Sequence, residues 1–392
     1  MRYYIIAGEA SGDLHGSNLM KGLYAEDPQA DIRFWGGAEM NAVFRTRQTG
    51  DGLVRDYRDG AVMGFTQVLL YARRFAKRIA DCTADLLRWK PDAVILIDYP
   101  GFNFRIAEFA HKAGFKVFYY IAPKVWASRE GRIRKLKSYV DKLFIIFPFE
   151  IPYFTEKGVD FRYEGNPLVD AIDGSTAIQK TRSEFLAEND LPDRPIIALL
   201  AGSRSGEIRS MMPTFMAFAD RMHALPEYAD WQFVVAGAPS RSLNDYIPYL
   251  SAKPERAAYI RIVFGQSGAV MRHAEAAVIN SGTASLECAL VGTPQVVGYR
   301  ASQINFLIAR KLIKVKWISL GNLILNRTCF RELLQYYFTP ENVLTEIRRL
   351  IEDEAYRERM REGYRTIRKA LGGTGASARV ARAMIEEIKN QQ

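Results

Sequence analysis

Cysteine is scarce in this chain, and long hydrophobic runs do not occur in it. The three cysteines among 392 residues, Cys82, Cys288 and Cys329, lie far apart and lack the spacing of a metal site. They indicate a reduced, cytoplasmic protein. The apolar runs at 93–97 and 143–147 have the length of core strands, far below the roughly 20 residues that span a bilayer. The amino terminus reaches a glycine-rich turn without a cleavable signal pattern.

Several ligand-binding motifs are also missing. No GxxxxGK[ST] loop and no GxGxxG fingerprint occurs, which disfavours a P-loop enzyme and a nicotinamide cofactor. There is no RNP motif, zinc finger or repeated basic–aromatic pattern, so we expect no nucleic-acid partner. The net charge of +10 still favours acidic partners, and among these we favour anionic lipid and phosphate groups.

Short apolar strands alternate with helices along both halves of the chain. Fully apolar strands in such an alternation indicate parallel sheets covered on both faces by helices. The sequence therefore predicts an α/β fold with two Rossmann-like, doubly wound parallel-sheet domains that face each other across a cleft. The predicted strands lie at 2–7, 32–37, 92–98, 117–123, 142–149, 195–200, 231–239, 260–265, 276–280 and 294–300.

The alternation is interrupted once, where residues 166–191 turn polar and helical, as in a linker. We predict a first domain over 1–168, a second over 169–369, and a helix at about 370–392 that packs back onto the first domain. Ligands of such sheets bind beyond the carboxyl ends of the strands. Glycosyltransferases, sugar epimerases, dehydrogenases and periplasmic-type binding proteins share this architecture, so it does not decide the function.

Two loops in the second half follow predicted strands and open helices. The amino terminus of a helix attracts anions through its unpaired N–H groups and its dipole. Arg204 adds a forked cation suited to a leaving phosphate, and Glu287 is placed to accept from ribose hydroxyls. The alternatives are a helix cap of the S/T-x-x-E type and a surface arginine, but two such loops together favour a diphosphate site. The residues predicted to bind it are Gly202, Ser203, Arg204, Ser281, Gly282, Thr283, Ala284, Ser285 and Glu287.

The first half offers a loop and a carboxylate. Residues 8–13 (GEASGD) follow the first strand directly, which suits a loop that contacts sugar or phosphate, although a capped tight turn would look the same. Asp98 ends the apolar strand at 93–97, where partial desolvation would raise its pKa toward that of a general base. The alternative for Asp98 is a helix cap. His15 is a second candidate base, for which a structural role is the more common interpretation.

Two amphipathic stretches combine apolar residues with lysine and arginine. They lie at 62–78 and 304–316. Such stretches suit a helix on an anionic bilayer or a groove for acyl chains. An apolar face packed on the protein core is the alternative for each of them.

The motifs together resemble the lipid-A-disaccharide synthase family over nearly the whole chain. The resemblance implies a GT-B fold without metal or cofactor. It implies the condensation of UDP-2,3-diacylglucosamine with 2,3-diacylglucosamine 1-phosphate (lipid X), with inversion and release of UDP, to give the β-1′,6-linked lipid A disaccharide. It also implies a cytoplasmic enzyme, peripheral on the anionic inner-membrane surface, and leaves a homodimer open. The motifs are GEASGD (8–13), VMGF (62–65), ILIDYPGFN (95–103), PKVWASR (123–129), GNPLVD (165–170), LLAGSRSGEI (199–208), NSGTASLE (280–287), VVGYR (296–300) and SLGNLIL (319–325).

Specific residues take roles from this resemblance. Asp98 corresponds to the general base, and Arg204 and Asn322 to residues important for activity. The chain departs from the family at Leu325-Asn326-Arg327, where an Ala-Gly-Arg loop is common. The residues expected to contact the acceptor are Gly8, Glu9, Ser11, Gly12, Asp13, Met63 and Asn103.

Three alternatives remain open from the sequence. Another UDP-sugar-dependent GT-B transferase would have the same UDP site and a different acceptor half. A UDP-sugar 2-epimerase would need more acid and base residues than we identify. A sugar-binding or membrane-associated protein without activity would leave both phosphate loops and the carboxylate without a role.

Overall fold

The structure is a computed structural model that describes residues 1–60, 68–126, 130–300 and 316–390, without the side chains of 59–60 and 68–72. Met63 and most of the stretch 304–316 lie outside the described residues. The chain forms two compact units, Met1–Ala171 with Leu371–Gln392, and Ile172–Ala370.

The first unit contains a seven-stranded sheet in which neighbouring strands are parallel. Its strands are β1 (Arg2–Ala7), β2 (Asp31–Gly36), β3 (Leu53–Asp56), β4 (Ala93–Ile97), β5 (Lys116–Tyr120), β6 (Lys142–Ile145) and β7 (Phe161–Tyr163). Their order is β3-β2-β1-β4-β5-β6-β7. All five residues of β4 are fully buried, which explains its unbroken apolar run, because neither face of a central parallel strand meets water.

Helices connect these strands. They are α1 (Ala10–Glu26), α2 (Ala38–Arg45), α3 (Val68–Trp89), α4 (Pro100–Lys112), α5 (Ile133–Tyr139), α6 (Glu150–Glu156) and α7 (Pro167–Asp173). Residues of α7 pass from the first unit into the second. The loop after β1 leads into α1, and the loop after β4 leads into α4.

The second unit contains a six-stranded sheet, again parallel throughout its described pairs. Its strands are β8 (Ile196–Leu200), β9 (Gln232–Gly237), β10 (Ile260–Phe264), β11 (Ala276–Asn280), β12 (Gln295–Tyr299) and β13 (Glu332–Leu334). Their order is β10-β9-β8-β11-β12-β13. Its helices are α8 (Thr176–Gln179), α9 (Arg182–Glu188), α10 (Ser205–His223), α11 (Ile247–Leu250), α12 (Ser267–Arg272), α13 (Thr283–Val291), α14 (Leu320–Leu325), α15 (Pro340–Glu352) and α16 (Glu354–Ala370).

The last helix, α17 (Ala376–Lys389), returns to the first unit and packs against α1. Small residues allow the close approach, since a Cβ added at Gly22 would lie 2.9 Å from the carbonyl oxygen of Ser377. Asp170 caps α17, because its carboxylate accepts from the amides of Gly375 (2.6 Å) and Ser377 (2.8 Å). A carboxylate at this end of a helix is favoured by the helix dipole.

The predicted α/β fold with two parallel sheets is confirmed. Three short edge strands, β3, β7 and β13, were not predicted, because strands of three or four partly exposed residues carry little periodic signal. Within the described ranges, no helix is both long enough and apolar enough to cross a membrane.

Candidate active site

In each sheet, the direction in which successive strands are added reverses next to the first strand of that sheet. In the first sheet the chain runs outward from β1 through β2 to β3, and then returns to place β4 on the other side of β1. In the second sheet β8 and β11 are the corresponding neighbours. Such switch points leave a crevice at the carboxyl ends of the strands, where ligands of doubly wound sheets bind. The loops after β1 and β4, and after β8 and β11, are the loops singled out from the sequence.

The loop after β8 is built around Gly202. This residue has a φ of +98°, a conformation that favours glycine, and an added Cβ would overlap the Glu207 carboxylate and approach the Asn280 amide to 2.7 Å. Glu207 accepts from the backbone amides of Ser203 (3.0 Å) and Arg204 (3.1 Å). A carboxylate therefore occupies the amides at this turn, which shows that the turn accommodates negative charge.

Arg204 extends from this turn toward solvent. Its side chain is 68% exposed, and its guanidinium lies 3.2 Å from Glu207. Arg241, which follows β9, contacts the same turn through the carbonyl of Ser203 (2.8 Å) and the hydroxyl of Ser205 (2.7 Å). Arg241 is not among the site residues expected from the sequence. Its position just after a buried strand was the available signal.

The loop after β11 opens α13 with residues of different exposure. Thr283 is exposed at the first helical position, where the N–H groups lack a partner within the helix. Ser285 is fully buried and donates its hydroxyl to the carbonyl of Gly282 (2.8 Å), so it does not act as a helix cap, which would accept from an N–H group. Ser281 and Ala284 are half-buried. The backbone of this turn is thus the part that a ligand can reach.

Glu287 lies one turn further along α13. It is half-buried, and desolvation raises the pKa of its carboxyl group. No hydrogen bond or ion pair of this carboxylate exists among the described residues. It is therefore available to accept a hydrogen bond from a bound molecule.

Asn322 is completely buried in helix α14. Its side-chain nitrogen donates to Phe330 (3.0 Å) and Glu332 (2.9 Å), and its oxygen accepts from the amide of Cys329 (2.7 Å). Glu332 in turn accepts from the backbone and hydroxyl of Ser319. The Asn322 amide thus fixes a loop whose carbonyl at Ile318 accepts from the Ser281 hydroxyl (3.4 Å). Its contribution in this structure is to position that loop.

At the first sheet, Asp98 and Tyr99 have an unusual backbone. Their φ values are +43° and +44°, and left-handed conformations of residues other than glycine cost energy and concentrate at functional sites. The Asp98 carbonyl is held by the Asn103 amide (2.8 Å) and the Tyr119 hydroxyl (2.6 Å). Asp98 itself is half-buried at the end of β4. Asn103, which is fully buried, therefore positions Asp98.

Residues 8–13 divide between exposed and interior positions. Glu9 and Ser11 are exposed, whereas an added Cβ at Gly8 would overlap the Tyr99 ring and one at Gly12 would lie 3.3 Å from Ala7. Asp13 is buried. Its carboxylate accepts from the amides of Gly37 (2.7 Å), Glu39 (3.1 Å) and Met40 (3.1 Å), so it caps α2.

Two further buried ionisable groups lie in the first unit. Burial lowers the pKa of His15 to about 4, and the Nδ1 atom of His15 has no partner among the described residues. Burial raises the pKa of Glu150 to about 7, although this carboxylate accepts from the Trp126 indole (3.1 Å) and the amides of Ile146 and Phe147. Within the described part of the chain, no three His, Cys, Asp or Glu residues are grouped as metal ligands.

Comparisons with known proteins decide the family. A sequence model described as Lipid-A-disaccharide synthetase matches residues 3–385. The chain belongs to this family. The lipid-A-disaccharide synthase of Trichlorobacter lovleyi is 36% identical over 389 residues, which cover 99% of this chain and 98% of that protein. The enzyme of the same name from Myxococcus xanthus is 37% identical over 386 residues, covering 98% and 97%.

Solved structures confirm the fold. A putative UDP-N-acetylglucosamine 2-epimerase from Listeria monocytogenes superposes with a TM-score of 0.67 at 15% identity, covering 99% of this chain and 97% of that chain. Identity this low shows the GT-B-like architecture alone. Family membership therefore outweighs the epimerase alternative. The chain is an enzyme of the glycosyltransferase class, and it serves the condensation step of lipid A biosynthesis.

Proposed function

We propose that the chain transfers diacylglucosamine from UDP-2,3-diacylglucosamine to the 6-hydroxyl of 2,3-diacylglucosamine 1-phosphate, with inversion. The observation that carries the proposal is the coincidence of the predicted loops with the two switch points, at β1/β4 and at β8/β11. We assign the donor to the second unit and the acceptor to the first.

The donor site uses the turns after β8 and β11. The diphosphate binds the backbone amides around Ser203 and Thr283, the positive end of α13 and the exposed Arg204. Ligand oxygens would replace the Glu207 carboxylate at the amides of Ser203 and Arg204. Glu287 accepts from the ribose hydroxyls, a role supported by a carboxylate that has no partner within the described part of the chain.

The acceptor site uses the loops after β1 and β4. Asp98 accepts the proton of the 6-hydroxyl as that oxygen attacks the anomeric carbon of the donor. The bond between the anomeric carbon and the diphosphate oxygen breaks, and UDP leaves with the electron pair. Arg204 stabilises the charge that develops on the departing phosphate. Asn103 and Asn322 are positioning residues, since the side-chain nitrogen of Asn103 donates to the carbonyls of Ile97 and Asp98 and the Asn322 amide is hydrogen-bonded within its own unit.

Incubation with UDP-2,3-diacylglucosamine, with and without the acceptor, tests the proposal. A transferase releases UDP only when the acceptor is present. An epimerase would form a new UDP-sugar without acceptor, and a binding protein would release nothing. Either of the last two results would refute the proposal.

We also propose that the enzyme works as a peripheral protein on the anionic inner-membrane surface of the cytoplasm. The net charge of +10 supports this, because basic residues near an anionic bilayer add to binding. Co-sedimentation should be stronger with vesicles that contain phosphatidylglycerol than with neutral vesicles, and should weaken with salt. Equal binding to both would contradict it. Light scattering on the purified chain would establish whether it forms the homodimer that the resemblance leaves open.

A further inference from the structure

A small recess lies at the carboxyl edge of the first sheet, between the ends of β1 to β4 and helix α3. Aromatic rings form much of its wall, with Phe102 centred 5.3 Å from Trp35 and 5.6 Å from Tyr99. The enclosed volume is about 20 Å³, the space of about one water molecule. An acyl chain does not fit inside, so a ligand would lie on the rim.

Two arginines, Arg55 and Arg78, line this recess. The Nε atom of Arg55 is buried without a hydrogen-bond partner, and its guanidinium lies 5.6 Å from the centre of the Trp35 ring. Its one ion pair among the residues that the structure describes, with Asp81, is long at 3.4 Å. Arg78 is half-buried and has no ion pair or hydrogen bond among the described residues. A half-buried cation without a counter-ion is costly unless a ligand supplies the negative charge.

The neighbouring Arg58 is different. Its guanidinium forms a bidentate ion pair with the Asp56 carboxylate, with N–O distances of 2.8 and 2.5 Å, and its side chain is 64% exposed. The Asp56 carboxylate, which also lines the recess, is thus already neutralised. Arg55 and Arg78 therefore supply the positive charge that a ligand can meet at the recess.

We propose that Arg55 and Arg78 bind the phosphate group of the acceptor sugar. This assignment rests on the proposed function, in which the acceptor carries a phosphate at C1 in addition to the diphosphate of the donor. A guanidinium offers paired donors that match phosphate oxygens. The aromatic wall beside the two arginines gives the sugar ring an apolar surface to lie against.

The location agrees with the chemistry of the acceptor. Tyr99, whose ring lines the recess, follows Asp98 directly. Strand β3, which carries Arg55, is three strand spacings from β4, roughly 14 Å, and a long arginine side chain reaches back over part of that distance. The 6-hydroxyl and the 1-phosphate leave the acceptor sugar on either side of its ring oxygen, one through C5 and C6 and the other through C1. A base on β4 and cations that reach back from β3 and α3 therefore suit two separate groups of one molecule.

Kinetics with two acceptors test this site. Arg78→Gln, Arg55→Gln and the double variant are compared with Lys77→Gln, which removes the same charge from an exposed position on α3. Each is assayed with 2,3-diacylglucosamine 1-phosphate and with 2,3-diacylglucosamine, at saturating UDP-sugar. We expect the KM for the phosphorylated acceptor to rise roughly 10- to 100-fold in Arg78→Gln, as for loss of a charged hydrogen bond. Activity with the unphosphorylated acceptor should not change.

Several results would overturn the assignment. They are an equal loss with both acceptors, a raised KM for the UDP-sugar, or the same effect in Lys77→Gln. Binding of glucosamine 1-phosphate to the full chain, measured by calorimetry, should weaken in Arg78→Gln, and unchanged binding would also refute the site. If the proposed function itself were wrong, the unmodified enzyme would release no UDP with either acceptor. That outcome differs from an active enzyme whose variants respond equally to both acceptors.

Discussion

The two switch points place their polar groups differently. At the first sheet Asp13 and Asn103 are buried and bonded within the protein, and Asn103 holds the left-handed backbone at Asp98. At the second sheet Arg204 and Thr283 are exposed at turns made chiefly of backbone amides. Rigid placement of one group suits proton transfer, which depends on geometry. Exposed amides and a cation suit the capture of a charged ligand. The predictions below test this division of labour.

Asp98→Asn should have the largest effect. The amide keeps the size of the side chain but cannot accept a proton, so we expect kcat to fall by roughly 10²- to 10⁴-fold. The affinity for UDP, which we assign to the other sheet, should stay the same. Steady-state kinetics and calorimetric titration with UDP measure the two quantities. Asp51→Asn, at an exposed position of the same unit, is the control.

Loss of UDP binding in Asp98→Asn would break the comparison. It would show that Asp98 supports the donor site or the fold, and that the two edges do not divide binding from proton transfer. A fall in kcat in the Asp51→Asn control would also break the comparison, because any loss of negative charge from the unit would then lower kcat.

Arg204→Ala should have the next largest effect. If its guanidinium stabilises the leaving diphosphate, kcat should fall by roughly 10²- to 10³-fold, with a smaller change in the KM for the UDP-sugar. Arg209→Ala removes another exposed arginine from α10 and should leave both values unchanged. A change confined to KM would assign Arg204 to ground-state binding.

Much of this arrangement could be predicted from local pattern. The buried strands β4 and β8 are unbroken apolar runs and β11 is apolar up to Asn280, and the loops that follow these strands carry the glycine, serine and aspartate of the candidate site. The carboxyl ends of parallel strands meet at one edge, so the loops were expected to gather there. The left-handed Asn326 also explains a departure from the family, because asparagine tolerates the backbone that glycine adopts.

Side-chain partners distant in sequence could not be predicted. Asp13 is directed to the amides of α2, more than 20 residues away, and the Asn322 amide is enclosed by the turn before β13. Arg241 reaches the Ser203 turn from another strand. A residue type at a loop does not reveal whether its polar atoms face a ligand or the protein, since that depends on packing between elements. The importance of Asn322 for activity, which the resemblance implies, therefore stays a prediction.

Two buried ionisable groups of the first unit, Glu150 and His15, should make the stability of the protein depend on pH. Glu150, with a pKa raised to about 7, keeps its proton in the folded state above pH 4.5, so its contribution to stability is lost as the pH rises through 7. His15, with a pKa lowered to about 4, stays neutral when folded, so stability is lost as the pH falls from 6.5 through 4. Between about pH 4.5 and 6.5 the two effects oppose each other.

Single variants should separate these effects. Glu150→Gln should leave a protein that loses stability toward low pH, and His15→Gln one that loses stability toward neutral pH, each by up to ~3 kcal/mol. Urea unfolding at pH 5, 6 and 7 measures both slopes. If the free energy of unfolding of both variants depended on pH as that of the unmodified chain does, neither group would be held in the protonation state described.

The smallest effect is expected from a pair of glycines in the second unit. Alanine at Gly202 would adopt a left-handed conformation and collide with the Glu207 and Asn280 side chains, which would shift the backbone amides of this turn away from the ligand. We expect a loss of about 1–2 kcal/mol of stability and a Kd for UDP that is about tenfold higher.

The matched control is Gly206, which lies in the first turn of α10, where an added Cβ meets nothing within 4 Å. Alanine there should stabilise the helix by up to ~1 kcal/mol and leave UDP binding unchanged. Thermal unfolding and UDP titration of both variants test whether the backbone of this turn, rather than helix α10 as a whole, forms the anion site. Equal UDP affinity in the two variants would remove the β8 turn from the donor site and leave α13 as the main diphosphate contact.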